Sequence, residues 1–164
     1  MRRYSLQLVC FIALTLLFSS AQESNPPTPA QPGAEYSGMY SFLRDGEFVQ
    51  VTVEDQGHVT GFISRYGDRE SDRGAFLEHF FKQGKLSGEK LTFTTQTVHG
   101  IWFEFRGDVE RTEGKKAGEE GCYVLKGTLT EYATDEAKKT TSKSREVALK
   151  SFPQDVSPAP AKRN

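Results

Sequence analysis

Between residues 36 and 152 every apolar run is short, alternates in polarity and ends in a turn, and that rhythm limits the fold more than any other feature. "YSGMYSFL" (36–43) precedes "RDGE", which carries the Asp-Gly signal of a tight hairpin. "FVQVTVE" (48–54) places Val49, Val51 and Val53 on one face, and "DQG" turns the chain into "HVTGFISRY" (58–66). A charged loop, "GDRESDRG", leads to "AFLEHFFKQGKL" (75–86), and "SGEK" leads to "LTFTTQT" (91–97). "IWFEFRGDV" (101–109) follows, then a second charged loop, "ERTEGKKAGEEG", and "CYVLKGTLTEY" (122–132). The last run is "SREVALKSF" (144–152). No stretch has a convincing helical period. "TDEAKKTTSKS" comes nearest, but it lacks an apolar face and reads as a loop.

Hairpin-length connections force antiparallel neighbours, because a parallel pair needs a long crossover. Eight such strands in sequence predict an all-β fold, an eight-stranded antiparallel up-and-down β-barrel, which also removes exposed sheet edges. The alternative is a β-sandwich, whose Greek-key crossovers these tight turns disfavour. Val49, Val51, Val53, Phe93, Ile101, Phe103, Phe105, Leu125, Leu129, Val147 and Leu149 are the candidate inward residues. Gly38, Gly61, Gly84 and Gly127 interrupt strands, where glycine marks a bulge or bend. The abundance of phenylalanine favours a filled or narrow lumen, although a barrel of this size can also hold one small ligand.

The flanks are of a different kind. Arg2 and Arg3 precede an apolar stretch from Leu6 to Phe18, and small residues follow at Ser19, Ser20 and Ala21. This predicts a signal peptide over residues 1–21, too short for a comfortable membrane span. The Arg2-Arg3 pair hints at twin-arginine export, but the short charged segment and strongly apolar stretch favour the general route. Residues 22–34 are a Pro-rich disordered linker, 35–152 the barrel domain and 153–164 a Pro-rich disordered tail. The expected location is therefore periplasmic or secreted. Cleavage removes Cys10 and leaves Cys122 alone, at the head of an apolar run that predicts burial. The mature charge is about −3, which gives no reason to expect nucleic acid, and no second apolar run suggests an integral membrane segment.

"SGMYSFL" followed by "VTVEDQGHVTGFI" resembles the opening of avidin-like and lipocalin-like small barrels, with a Gly-x-aromatic first strand. "GHVTG", Gly57 to Gly61, is similar to the Gly-x-Leu-Thr-Gly turn of avidin-like chains, and "GKLSGEKLTFTT" has the same meander rhythm. The resemblance implies an eight-stranded barrel of a kind whose members often bind small molecules in the barrel mouth. It does not carry biotin binding with it. Avidin-like proteins hold biotin with several tryptophans and a first-strand asparagine, whereas this chain has one Trp and no asparagine in "GMYSFLRDGEF". The cysteine pair of many secreted lipocalins is missing as well.

No motif points to catalysis or to a cofactor. His58, His79 and His99 lie about 20 residues apart with none of the spacing of a zinc site. Glu78 and His79 are strand neighbours and point to opposite faces. Asp68-Arg69 and Asp72-Arg73 could clamp a charged group, or could simply keep their loop soluble. In a meander this loop and "GKKAGEEG" open at opposite ends and do not build one site. The ligand-binding candidates are Trp102, Glu104, Arg106 and Tyr40. In "TVHGIWFEFRG", Ile101, Phe103 and Phe105 share one face and Trp102, Glu104 and Arg106 the other. With the three apolar groups inward, the other three form an outer surface. A shift of one residue would instead turn Trp102 toward a ligand in the lumen. Two readings stay open, with an enzyme as a third behind them: an exported barrel binding a small apolar or amphipathic ligand, and a structural or interaction module with a filled core that meets another envelope or secreted protein.

Overall fold

A computed structural model describes residues 31–154 apart from Arg69. The expected signal peptide at 1–21, residues 22–30 of the linker and residues 155–164 of the tail lie outside the described residues. The eight strands are β1 (Gly38–Ser41), β2 (Phe48–Val53), β3 (Val59–Tyr66), β4 (Phe76–Ser87), β5 (Lys90–Thr95), β6 (Ile101–Arg111), β7 (Tyr123–Thr134) and β8 (Thr140–Lys150). Each pairs antiparallel with the next, in one sheet of order β1 to β8, which is the expected up-and-down topology. At the first hairpin the Glu47 N–H donates to the Arg44 carbonyl at 3.0 Å, and Gly46 takes a φ of 84° that favours glycine.

The sheet curls until its ends meet. Tyr40 bridges Ser151 in antiparallel fashion, and the Phe152 N–H donates to the Met39 carbonyl at 2.8 Å. The seam is short because β1 has only four residues. Among the described residues, the first half of β8 pairs with β7 alone. That half corrects one expectation, because part of "TDEAKKTTSKS" is strand and only Asp135 to Lys139 form the turn. Apolar periodicity reports strands with a buried face, and this one has none. It is held by the backbone ladder and by hydroxyl pairs, Thr130 with Ser144 and Thr134 with Thr140, each 2.9 Å apart. Lysine and hydroxyl side chains on such an edge also discourage pairing with other chains.

Alternation sets the core. Val49, Val51, Val53, Phe93, Ile101, Phe103, Phe105, Leu125, Leu129 and Leu149 are buried, and Val147 packs against them. A bulge in β4 between Phe81 and Gln83 switches its phase, so Phe81 faces inward before it and Leu86 after it. Phe81, Phe93 and Phe105 stack in series at 4.2 and 5.3 Å, which fills the middle of the lumen. Cys122 is buried immediately before β7.

Gly107 on β6 lies opposite Gly127 on β7, beneath the Phe105 ring. A Cβ at Gly107 would sit 2.7 Å from Cζ of Phe105, so only glycine lets that ring lie against the backbone. Gly107→Ala is expected to destabilise the barrel by about 1–3 kcal/mol through overpacking. A urea-denaturation change below about 0.5 kcal/mol, the size of a neutral surface substitution, would show that the ring does not occupy this place.

Candidate functional site at the barrel mouth

The turns after β1, β3, β5 and β7 gather at one end of the barrel, and the two charged loops therefore lie at opposite ends, as expected. The first end is the mouth, and a cavity of about 220 Å³ opens into it. One wall is apolar: Phe42, Leu43 and Phe103. The other carries Arg65, Glu131 and Arg145 with the buried Glu47, and Arg44 and Asp68 lie toward the rim.

Arg65 stands two residues after Ile63 on β3 and so points inward with it; its side chain is 4% exposed. Its Nε donates to Nε2 of His79 at 3.3 Å, and Nη1 donates to Asp68 Oδ2 at 2.5 Å and to the Tyr66 carbonyl at 3.2 Å. The guanidinium also lies 5.6 Å from the Phe103 ring centre. His79, fully buried on β4, meets the same ring edge-on at 5.2 Å. Burial first, and then the Arg65 charge, lower the His79 pKa to about 4. The ring is neutral at physiological pH, with Nε2 accepting from Arg65 and the proton on Nδ1.

The carboxylates are engaged. Glu47, 2% exposed, accepts from the Tyr66 N–H at 3.0 Å and from Arg44 Nε at 2.9 Å. Burial works against ionisation of Asp68, yet Arg65 and Arg44 together hold its carboxyl below the ordinary range. Glu131 on β7 faces Arg145 on β8 at a looser 3.5 Å. With His79 Nε2 occupied by Arg65, the mouth presents donors and acceptors for recognition and no free nitrogen base on that ring.

The four residues singled out in the sequence fall in two other places. Trp102, Glu104 and Arg106 lie on the outer face of β6, opposite the buried Ile101, Phe103 and Phe105. Trp102 stacks on Tyr132 with ring centres 3.7 Å apart and planes 4° from parallel. Glu104 and Arg106 pair with each other and border an open outer groove with Lys82 and Thr92. Tyr40 is buried in the core, and its hydroxyl donates to the Tyr36 carbonyl at 2.6 Å, toward the end away from the mouth. Glu78 is exposed and His79 buried, so the two do not form a dyad. The Asp-Arg loop contributes Asp68 to the mouth, while Asp72 pairs with His99 at 2.9 Å and Arg69 lies outside the described residues.

The mouth residues Arg65, Glu131 and Arg145 were missed, although a signal for them exists. Each is a charge in phase with core residues: Ile63 then Arg65, Leu129 then Glu131, and Arg145 then Val147 and Leu149. An inward charge just beyond the last core residue of a strand marks a polar mouth. Apolar alternation by itself does not report such charges.

No protein-family model matches the sequence, and no curated protein matches it. Among solved structures, the crystal structure of intact afifavidin in its apo form superposes with a TM-score of 0.55 at 10% identity. The match covers 81% of this chain and 96% of that one. At that identity the likeness is one of fold, and it agrees with the strand order: this chain is an eight-stranded antiparallel barrel similar to the avidin-like ones.

Proposed function

We propose that this protein is an exported, non-catalytic barrel that holds one small amphipathic molecule at its mouth. The observation that carries this reading is the cavity of about 220 Å³ at the end of a lumen otherwise packed with rings, apolar on one wall and charged on the other. Such a place suits a ligand with an apolar body and a polar head. The avidin-like fold supports the reading by analogy. Export rests on the apolar, small-residue pattern of residues 1–21.

A thermal-shift panel of lipids and aromatic metabolites, read on the full chain with native mass spectrometry, tests it. A ligand present at about 100 times its Kd stabilises by about 2.7 kcal/mol, a rise in Tm of several degrees. Leu43→Trp, which fills the cavity from its rim, is expected to abolish the rise. Silence across the whole panel would sink the ligand reading.

A second reading, an interaction module that meets another exported protein, is favoured by one observation. Phe48, Phe62 and Phe80 form an outward cross-strand ladder on β2, β3 and β4, with ring centres 5.8 and 5.5 Å apart, and Phe76 and Phe80 are about half exposed. Trp102 with Glu104 and Arg106 belongs to the same class of outer surface. A stabilising small molecule displaced by Leu43→Trp sinks this second reading.

A further inference from the structure

We propose that the mouth is a carboxylate site, in which Arg65 and Arg145 grip the anionic head of the ligand while its apolar body lies against Phe42 and Phe103. The assignment rests on the ligand-binding reading and names the chemistry of that site.

Net charge does not decide the matter, since three guanidiniums, Arg44, Arg65 and Arg145, face three carboxylates, Glu47, Asp68 and Glu131. The hydrogen bonds do. Glu47 and Asp68 are each held by at least two donors. On the donor side, Nη2 of Arg65 and Nε of Arg145 are buried and have no hydrogen-bond partner among the described residues. Arginine cannot shed a proton to escape that cost, so the group missing from the mouth is an acceptor. A carboxylate satisfies two guanidiniums with charge-assisted bonds that a neutral amide or hydroxyl matches poorly. Arg145 is free to turn toward it because its pairing with Glu131 is long, at 3.5 Å. The cavity, about 220 Å³, suits a ring-sized acid with a short arm better than a long acyl chain.

Indole-3-acetate and indole-3-acetamide, nearly equal in shape but one anionic and the other neutral, form the test, by isothermal titration with the full chain. The acid is expected to bind at least about tenfold more tightly than the amide, the worth of one charged hydrogen bond. Arg145→Gln and Arg65→Lys are expected to erase that preference, and Trp102→Ala, on the outer face, to leave it. Arg65 is buried, so its variant is checked for folding by circular dichroism; Arg145, about a third exposed, carries the test if that variant fails to fold. Equal binding of acid and amide overturns the carboxylate assignment and leaves the ligand reading standing. So does a preference that survives Arg145→Gln, or stabilisation by neutral panel members only. Silence of both indoles and of the whole panel removes both.

Discussion

Phe105→Ala is expected to cost about 3–5 kcal/mol, a large part of the stability of a domain this size. The ring is fully buried, stacks on Phe93 at 5.3 Å and covers the Gly107–Gly127 pair, so its removal leaves a hole that backbone on both strands cannot collapse into. Trp102→Ala, three residues earlier on the same strand but on the other face, is expected to cost far less, about 0.5–1.5 kcal/mol for its stack on Tyr132. Urea-denaturation midpoints at unchanged m-value measure both. Equal losses at the two positions would contradict the facing of β6 described above.

Acidification from pH 6.5 to pH 4 is expected to remove up to about 3 kcal/mol of stability through His79 alone. In the unfolded chain the imidazole takes up its proton near pH 6.5. In the barrel, burial and the neighbouring Arg65 charge delay protonation to about pH 4. Between those values the unfolded state binds more protons, so stability falls as pH falls, and below pH 4 this contribution is exhausted. Asp68 acts in a lower window: its folded pKa is depressed, so its contribution is present above about pH 4 and is lost below it. His79→Gln is expected to flatten the curve between pH 6.5 and 4 while leaving the lower limb. An unchanged slope in that variant would assign the pH dependence to other groups.

Much of the barrel was legible because period-two alternation is a local property. Val49, Val51 and Val53 read as one buried face, and they are one; Ile101, Phe103 and Phe105 likewise. The readings that failed or fell short did so where local pattern and local structure part. In β4 the bulge at Lys82 reverses which residues point inward, so "AFLEHFFKQGKL" shows no clean alternation although it is one continuous strand. In β8 the polar first half carries no apolar face because no second layer covers it. The mouth was harder still. Arg65, Glu131 and Arg145 are spread over 80 residues of chain and become neighbours only when three strands converge.

By itself, then, the sequence determined the strand count, the hairpin order, the all-β class and most of the core, since these follow from side-chain alternation and turn residues that act over a few positions. Tertiary structure alone decided that Phe81, Phe93 and Phe105 stack to fill the middle of the lumen and that Tyr40 turns away from the mouth, and it selected the outward register of Trp102, Glu104 and Arg106 over the one-residue shift. It also left two arginine donors at the open end without partners among the described residues. Those outcomes depend on which side chains meet across the curled sheet, and that is set by how the sheet closes on itself rather than by any stretch of neighbouring residues.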